Sequence, residues 1–100
     1  MPIAGGLGGA KPATEEVQGL CDQVKAEVEE KHGKKYSTYV ATEYKTQCVA
    51  GTNYFVKVQV GDDQYIHLRL YKNLPHAGEK LSLSASQAGK TKEEEIVHFQ

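Results

Sequence analysis

A chain of 100 residues with 12 basic and 13 acidic side chains, net charge −1, makes one domain with a single modest core. Its near-neutral balance argues against a nucleic-acid binder, which needs a basic face, and against electrostatic attachment to a membrane. No run approaches the roughly 18 apolar residues of a membrane span. The opening Met1-Pro2-Ile3-Ala4 lacks the basic and apolar regions of a secretory signal, so a cytoplasmic location with free thiols at Cys21 and Cys48 is expected.

Residues 1–13 hold four of the ten glycines (Gly5, Gly6, Gly8 and Gly9) and two of the three prolines. They read as a flexible arm ending in a stiffer Lys11-Pro12-Ala13. Thr14 is a good helix N-cap, and Glu15 and Glu16 follow where the helix dipole favours negative charge. Val17, Leu20, Cys21, Val24 and Val28 recur at intervals of three and four, one apolar stripe on an amphipathic helix. Gly33 fits a C-terminal cap, so a single helix is predicted over about 15–32.

Beyond Gly33 the period becomes alternating. Val40, Thr42, Tyr44 and Thr46 share one face, with Ala41, Glu43, Lys45 and Gln47 on the other. Tyr54, Val56, Val58 and Val60 oppose Phe55, Lys57 and Gln59. After a turn at Gly61-Asp62-Asp63, Ile66, Leu68 and Leu70 face inward and Tyr65, His67, Arg69 and Tyr71 outward. These read as one-sided antiparallel strands. A loop spans residues 73–80, Leu81 and Leu83 begin a fourth strand, and residues 86–95 are polar. Ile96, Val97 and Phe99 close the chain with a short apolar pattern.

A helix followed by a meander predicts a two-layer α+β domain, one amphipathic helix wrapped by a four- to five-stranded antiparallel sheet, with hairpin tips exposed at its edge. Burying Val17, Leu20, Val24 and Val28 contributes about 6–12 kcal/mol before entropy is subtracted. The tip Gln47-Cys48-Val49-Ala50-Gly51 is unusual. It is uncharged and carries apolar Cys48, Val49 and Ala50, where hairpin tips are normally polar. Apolar groups held on a turn suit burial against a partner.

Gln-x-Val-x-Gly at 47–51 resembles the signature loop of the cystatin family. Its flanks agree: Lys11-Pro12-Ala13-Thr14, Thr52-Asn53-Tyr54-Phe55-Val56-Lys57-Val58, Tyr65-Ile66-His67-Leu68-Arg69, Leu74-Pro75-His76 and Glu94-Glu95-Ile96-Val97-His98-Phe99 stand in order at the spacing of the stefin branch. The absence of tryptophan, and of an expected disulfide or signal, separates the chain from the secreted branch. The resemblance implies a cystatin-like fold and reversible, tight inhibition of papain-like cysteine proteases of the cathepsin B, H, L and S class. It also implies a three-part wedge: the arm at Gly5 and Gly6, the tip Gln47, Cys48, Val49, Ala50 and Gly51, and the loop Leu74, Pro75 and His76.

Three departures from the stefin pattern stand out, one of them Cys48, at a variable position of the motif where a bulky aliphatic is common. Ala4 replaces a bulkier residue before Gly5. Ser86 stands where an aromatic is frequent, which would loosen the last strands. The alternatives are a non-inhibitory interaction protein on the same fold, or a domain-swapped dimer in which the 47–51 loop straightens.

Other features take plainer readings. Cys21 is a core residue. The four histidines, His32, His67, His76 and His98, have no metal-ligand spacing and are expected at the surface. Gly5-Gly6-Leu7-Gly8-Gly9 is not a phosphate loop, having no strand before it and no Gly-Lys-Ser/Thr after it. Glu93-Glu94-Glu95 reads as a solvated charge run. No catalytic constellation and no cofactor are expected.

Overall fold

In the computed structural model, which describes residues 9–49, 51–73 and 80–96 (backbone alone at 48 and 49), Thr14 starts the helix as its side chain dictates. Its hydroxyl accepts from the Val17 N–H at 3.2 Å. Helix α1 spans Glu15–Gln23 and α2 Lys25–His32, ending at Gly33 in the left-handed region (φ 70°). The single predicted helix is therefore corrected to two segments. Val24 leaves helical geometry (φ −106°, ψ 5°), and its N–H turns to the Cys21 carbonyl at 3.2 Å.

That carbonyl also accepts the buried Tyr39 hydroxyl at 2.8 Å. A tyrosine from outside the helix thus satisfies an acceptor that the break partly releases. The apolar stripe survives the break: Val17, Leu20, Cys21, Val24 and Val28 are all buried. Gln18 ties α1 to the next segment, its side-chain oxygen accepting from the Ala41 N–H and its nitrogen donating to the Tyr39 carbonyl.

The strands are β1 (Lys11–Pro12), β2 (Val40–Val49), β3 (Gly51–Gln59), β4 (Tyr65–Lys72) and β5 (Leu81–Lys90). They form one antiparallel sheet in sequence order, bearing out the expected α+β architecture. Residues 11–13, expected to end the arm, join the sheet instead. Lys11 pairs with Tyr44 and Pro12 with Glu43, and the Ala13 N–H donates to the Thr42 carbonyl. Strand β5 runs on through the polar residues 86–90.

The predicted faces of β2 need a correction. A bulge between Ala41 and Glu43 leaves Thr42 extra, its hydroxyl donating to the Lys57 carbonyl at 3.2 Å. Ala41 and Tyr44 consequently share the core face, and Val40 is left 49 % exposed. Against the helices lie Val56, Val58, Ile66, Leu68, Leu70 and Leu83.

The opposite face is not the solvated surface that the alternation suggested. Phe55 is fully buried, and Ile96 packs on it with Ala85 alongside. Lys57, also buried, donates to the Lys92 carbonyl at 2.6 Å and pairs with Glu43 at 3.4 Å. Lys45 pairs with Glu95 at 3.2 Å. Residues 92–96 thus cover the middle of the outer face. The glutamate run stays exposed, as expected, but Glu95 anchors this covering and Glu94 pairs with Lys90.

Candidate functional site

The β2–β3 ladder runs to the pair Val49 and Gly51, so a single residue separates the two strands at their tip. Just below it, Gln47 lies opposite Asn53, and the buried Asn53 amide donates to the Gln47 side-chain oxygen at 3.1 Å. Gln47 is therefore held by the neighbouring strand.

Gly51 is buried at φ 121°, a conformation that L side chains rarely adopt. A Cβ there would stand 2.6 Å from the Lys72 carbonyl oxygen, 2.8 Å from the Tyr71 hydroxyl and 3.0 Å from the Asn73 Cα. Two of these three obstacles are backbone. The tip of the first hairpin rests directly on the end of β4, where the next loop begins.

The root of that loop is closed by Asn73. Its N–H donates to the Lys80 carbonyl at 3.1 Å, and its side-chain oxygen accepts from the Lys80 N–H. The structure thus brings Gln47, Cys48, Val49 and Gly51 together at one end of the sheet, beside the root of the 73–80 loop. Gly5, Gly6, Ala50, Leu74, Pro75 and His76 lie outside the described residues. Sequence reasoning missed Asn53, Tyr71, Lys72 and Asn73 as supports of the tip. Only Asn73 carries a local signal, as a turn-forming asparagine ahead of Leu-Pro.

The remaining polar chemistry is structural. His67, expected at the surface, is 1 % exposed, because it faces the side covered by residues 92–96. Burial first, then the Lys57 and Lys90 charges, lower its pKa to about 4. His32 is half-buried, with Nδ1 2.7 Å from the Tyr36 hydroxyl and Nε2 2.8 Å from the Ser86 hydroxyl. Burial and Lys34 lower its pKa as well.

Ser86 therefore links β5 to α2 through His32. His76 and His98 lie outside the described residues. Cys21 is a free, fully buried thiol pushed up to about 12 by burial and by Asp22, as inert as a core residue should be. Among the described residues no group of histidine, cysteine and carboxylate side chains is placed to hold a metal, and no helix is long and apolar enough to cross a membrane.

A family model for the cystatin domain matches residues 5–93. Cystatin-A of Homo sapiens is 48 % identical over 97 residues, which cover 97 % of this chain and 99 % of that protein. Cystatin-B of Macaca fuscata fuscata is 45 % identical, and Cystatin-B of Homo sapiens 44 %, over the same shares. The chain belongs to the cystatin family. It stands with the stefins, represented here by Cystatin-A and Cystatin-B, as the 47–51 loop and its flanks implied. Cystatins are inhibitors of cysteine proteases and not enzymes, and this cystatin is one of them. Its glycine-bearing tip and the residues that glycine meets, Tyr71, Lys72 and Asn73, all lie within the family's matched region.

Proposed function

We propose that this cystatin inhibits papain-like cysteine proteases of the cathepsin B, H, L and S class reversibly and tightly, in the cytoplasm and as a monomer. Its wedge consists of the arm at Gly5 and Gly6, the tip Gln47–Gly51 and the loop Leu74-Pro75-His76. The observation that carries this is Gly51. A tip whose glycine rests on the root of the 73–80 loop supports a wedge in which the tip and that loop act together. A preformed surface loses less conformational entropy on docking. A standard-size interface of this kind buries about 800 Å² per partner. Pro75 restricts its own φ and the residue before it, to the same effect.

Titration of the protein into papain with a fluorogenic peptide substrate tests the reading. Stoichiometric inhibition at nanomolar concentration is expected, with Gly51→Trp weaker by about a hundredfold or more, because the new side chain meets backbone. An absence of inhibition at micromolar concentration overturns the wedge and leaves a non-inhibitory interaction protein. Size-exclusion chromatography, with each peak assayed, separates the monomer from a domain-swapped dimer whose straightened loop would not inhibit.

A further inference from the structure

Strand β4 ends at Lys72, paired with Leu81, and the chain must leave the sheet at the next residue. The Asn73 N–H makes the next bond of the ladder, to the Lys80 carbonyl at 3.1 Å. The return bond from the Lys80 N–H goes instead to the Asn73 side-chain oxygen. A side chain thus stands in for a backbone acceptor, and the main chain is free to depart while the Lys80 donor stays satisfied. The same residue abuts the other hairpin, since its Cα lies 3.0 Å from where a Gly51 Cβ would be. One asparagine therefore closes the root of the 74–79 loop and forms part of the floor under the 47–51 tip.

We propose that Asn73 is a positioning residue for inhibition: its side-chain acceptor, held on the Lys80 N–H, fixes the root of the 73–80 loop beside Gly51 of the tip. This rests on the wedge reading above. The chemistry required is a short side chain with an oxygen acceptor. Asp and Ser retain it, whereas Ala removes it and leaves the Lys80 N–H to solvent. Without the bracket the loop samples other exits from β4, and part of the binding free energy goes into ordering it. No contact between Asn73 and the protease is needed.

The test compares the full-length wild type with Asn73→Ala, Asn73→Asp and Asn73→Ser in papain inhibition and urea unfolding. Asn73→Ala is expected to raise the inhibition constant about tenfold (about 1.4 kcal/mol) at protein concentrations where every variant is fully folded. Asn73→Asp or Asn73→Ser should restore most of the loss. Combined with Pro75→Gly, Asn73→Ala should cost less than it does alone, because the loop is already loose. Hydrogen exchange on the wild type should find the Lys80 amide protected, and Asn73→Ala should release it.

Wild-type inhibition with an unaffected Asn73→Ala overturns the positioning role and leaves the wedge standing. So does failure of both acceptor variants to rescue, additivity with Pro75→Gly, or fast exchange at Lys80 in the wild type. Failure of the wild type itself to inhibit overturns the wedge, and this inference with it.

Discussion

His67 shows how far a single residue can depart from what its neighbours in sequence suggest. Placed among Ile66 and Leu68 in a strictly alternating strand, it reads as the outward-facing member. In the structure Lys57 lies opposite it on β3 and Gln87 on β5, and it is buried with its Nε2 unbonded. The cost falls on protonation. In the unfolded chain the imidazole titrates near its ordinary value of about 6.5, but in the fold it stays neutral down to about 4. Between these values the unfolded chain binds more protons, so stability rises with pH across the window and is lost as pH falls through it. Urea midpoints measured from pH 7 to pH 4.5 should therefore drop more steeply for the wild type than for His67→Gln. Parallel curves would mean that His67 is solvated. Cys21 illustrates the opposite case: its place on the helix stripe was enough to read it as a core residue, and so it is.

At the scale of elements, the break at Val24 and the bulge at Thr42 share a cause. Each is set by a group distant in sequence. The apolar spacing from Val17 to Val28 shows which face is buried, and all five stripe positions are in the core. Nothing at Val24 or Lys25, neither proline nor glycine, announces a break. The partner of the bent segment is the Tyr39 hydroxyl, 18 residues beyond the Cys21 carbonyl it serves. Likewise Thr42 bonds a carbonyl on β3, 15 residues away. Local pattern carries side-chain periodicity, not the long-range bonds that interrupt it. Tyr39→Phe deletes the hydroxyl and strips a buried carbonyl of one of its two donors. It should lower stability by about 1–3 kcal/mol in urea unfolding. A change within about 0.5 kcal/mol, the scatter of ordinary surface substitutions, would show that the break is held by packing alone.

For the whole molecule, the sequence conveyed one covered sheet face and the fold has two. Phe55 was the visible clue, an aromatic on an otherwise polar face, and Ile96 its unassigned partner in the tail. They could not be matched from pattern because Lys45, Lys57 and His67 disguise the face as solvated. The candidate site was legible in its motif but not in its supports. Gly51 announces itself, whereas Tyr71, Lys72 and Asn73 acquire meaning only once β4 lies beside the tip.

Ile96→Ala should open a void over Phe55 and lower stability by about 2–5 kcal/mol. A loss under about 1 kcal/mol would make the covering an ornament of the fold. The covering also has a geometric consequence. Strands β1 and β5 occupy opposite edges of the sheet, yet Ile96 and Glu95 line the same groove, of about 520 Å³, as Gly9 and Ala10. The described chain is nearly a closed ring. A circular permutant joined across that groove and opened at Asp62-Asp63 would keep every strand pairing, while tethering at both ends the arm proposed as the first part of the wedge.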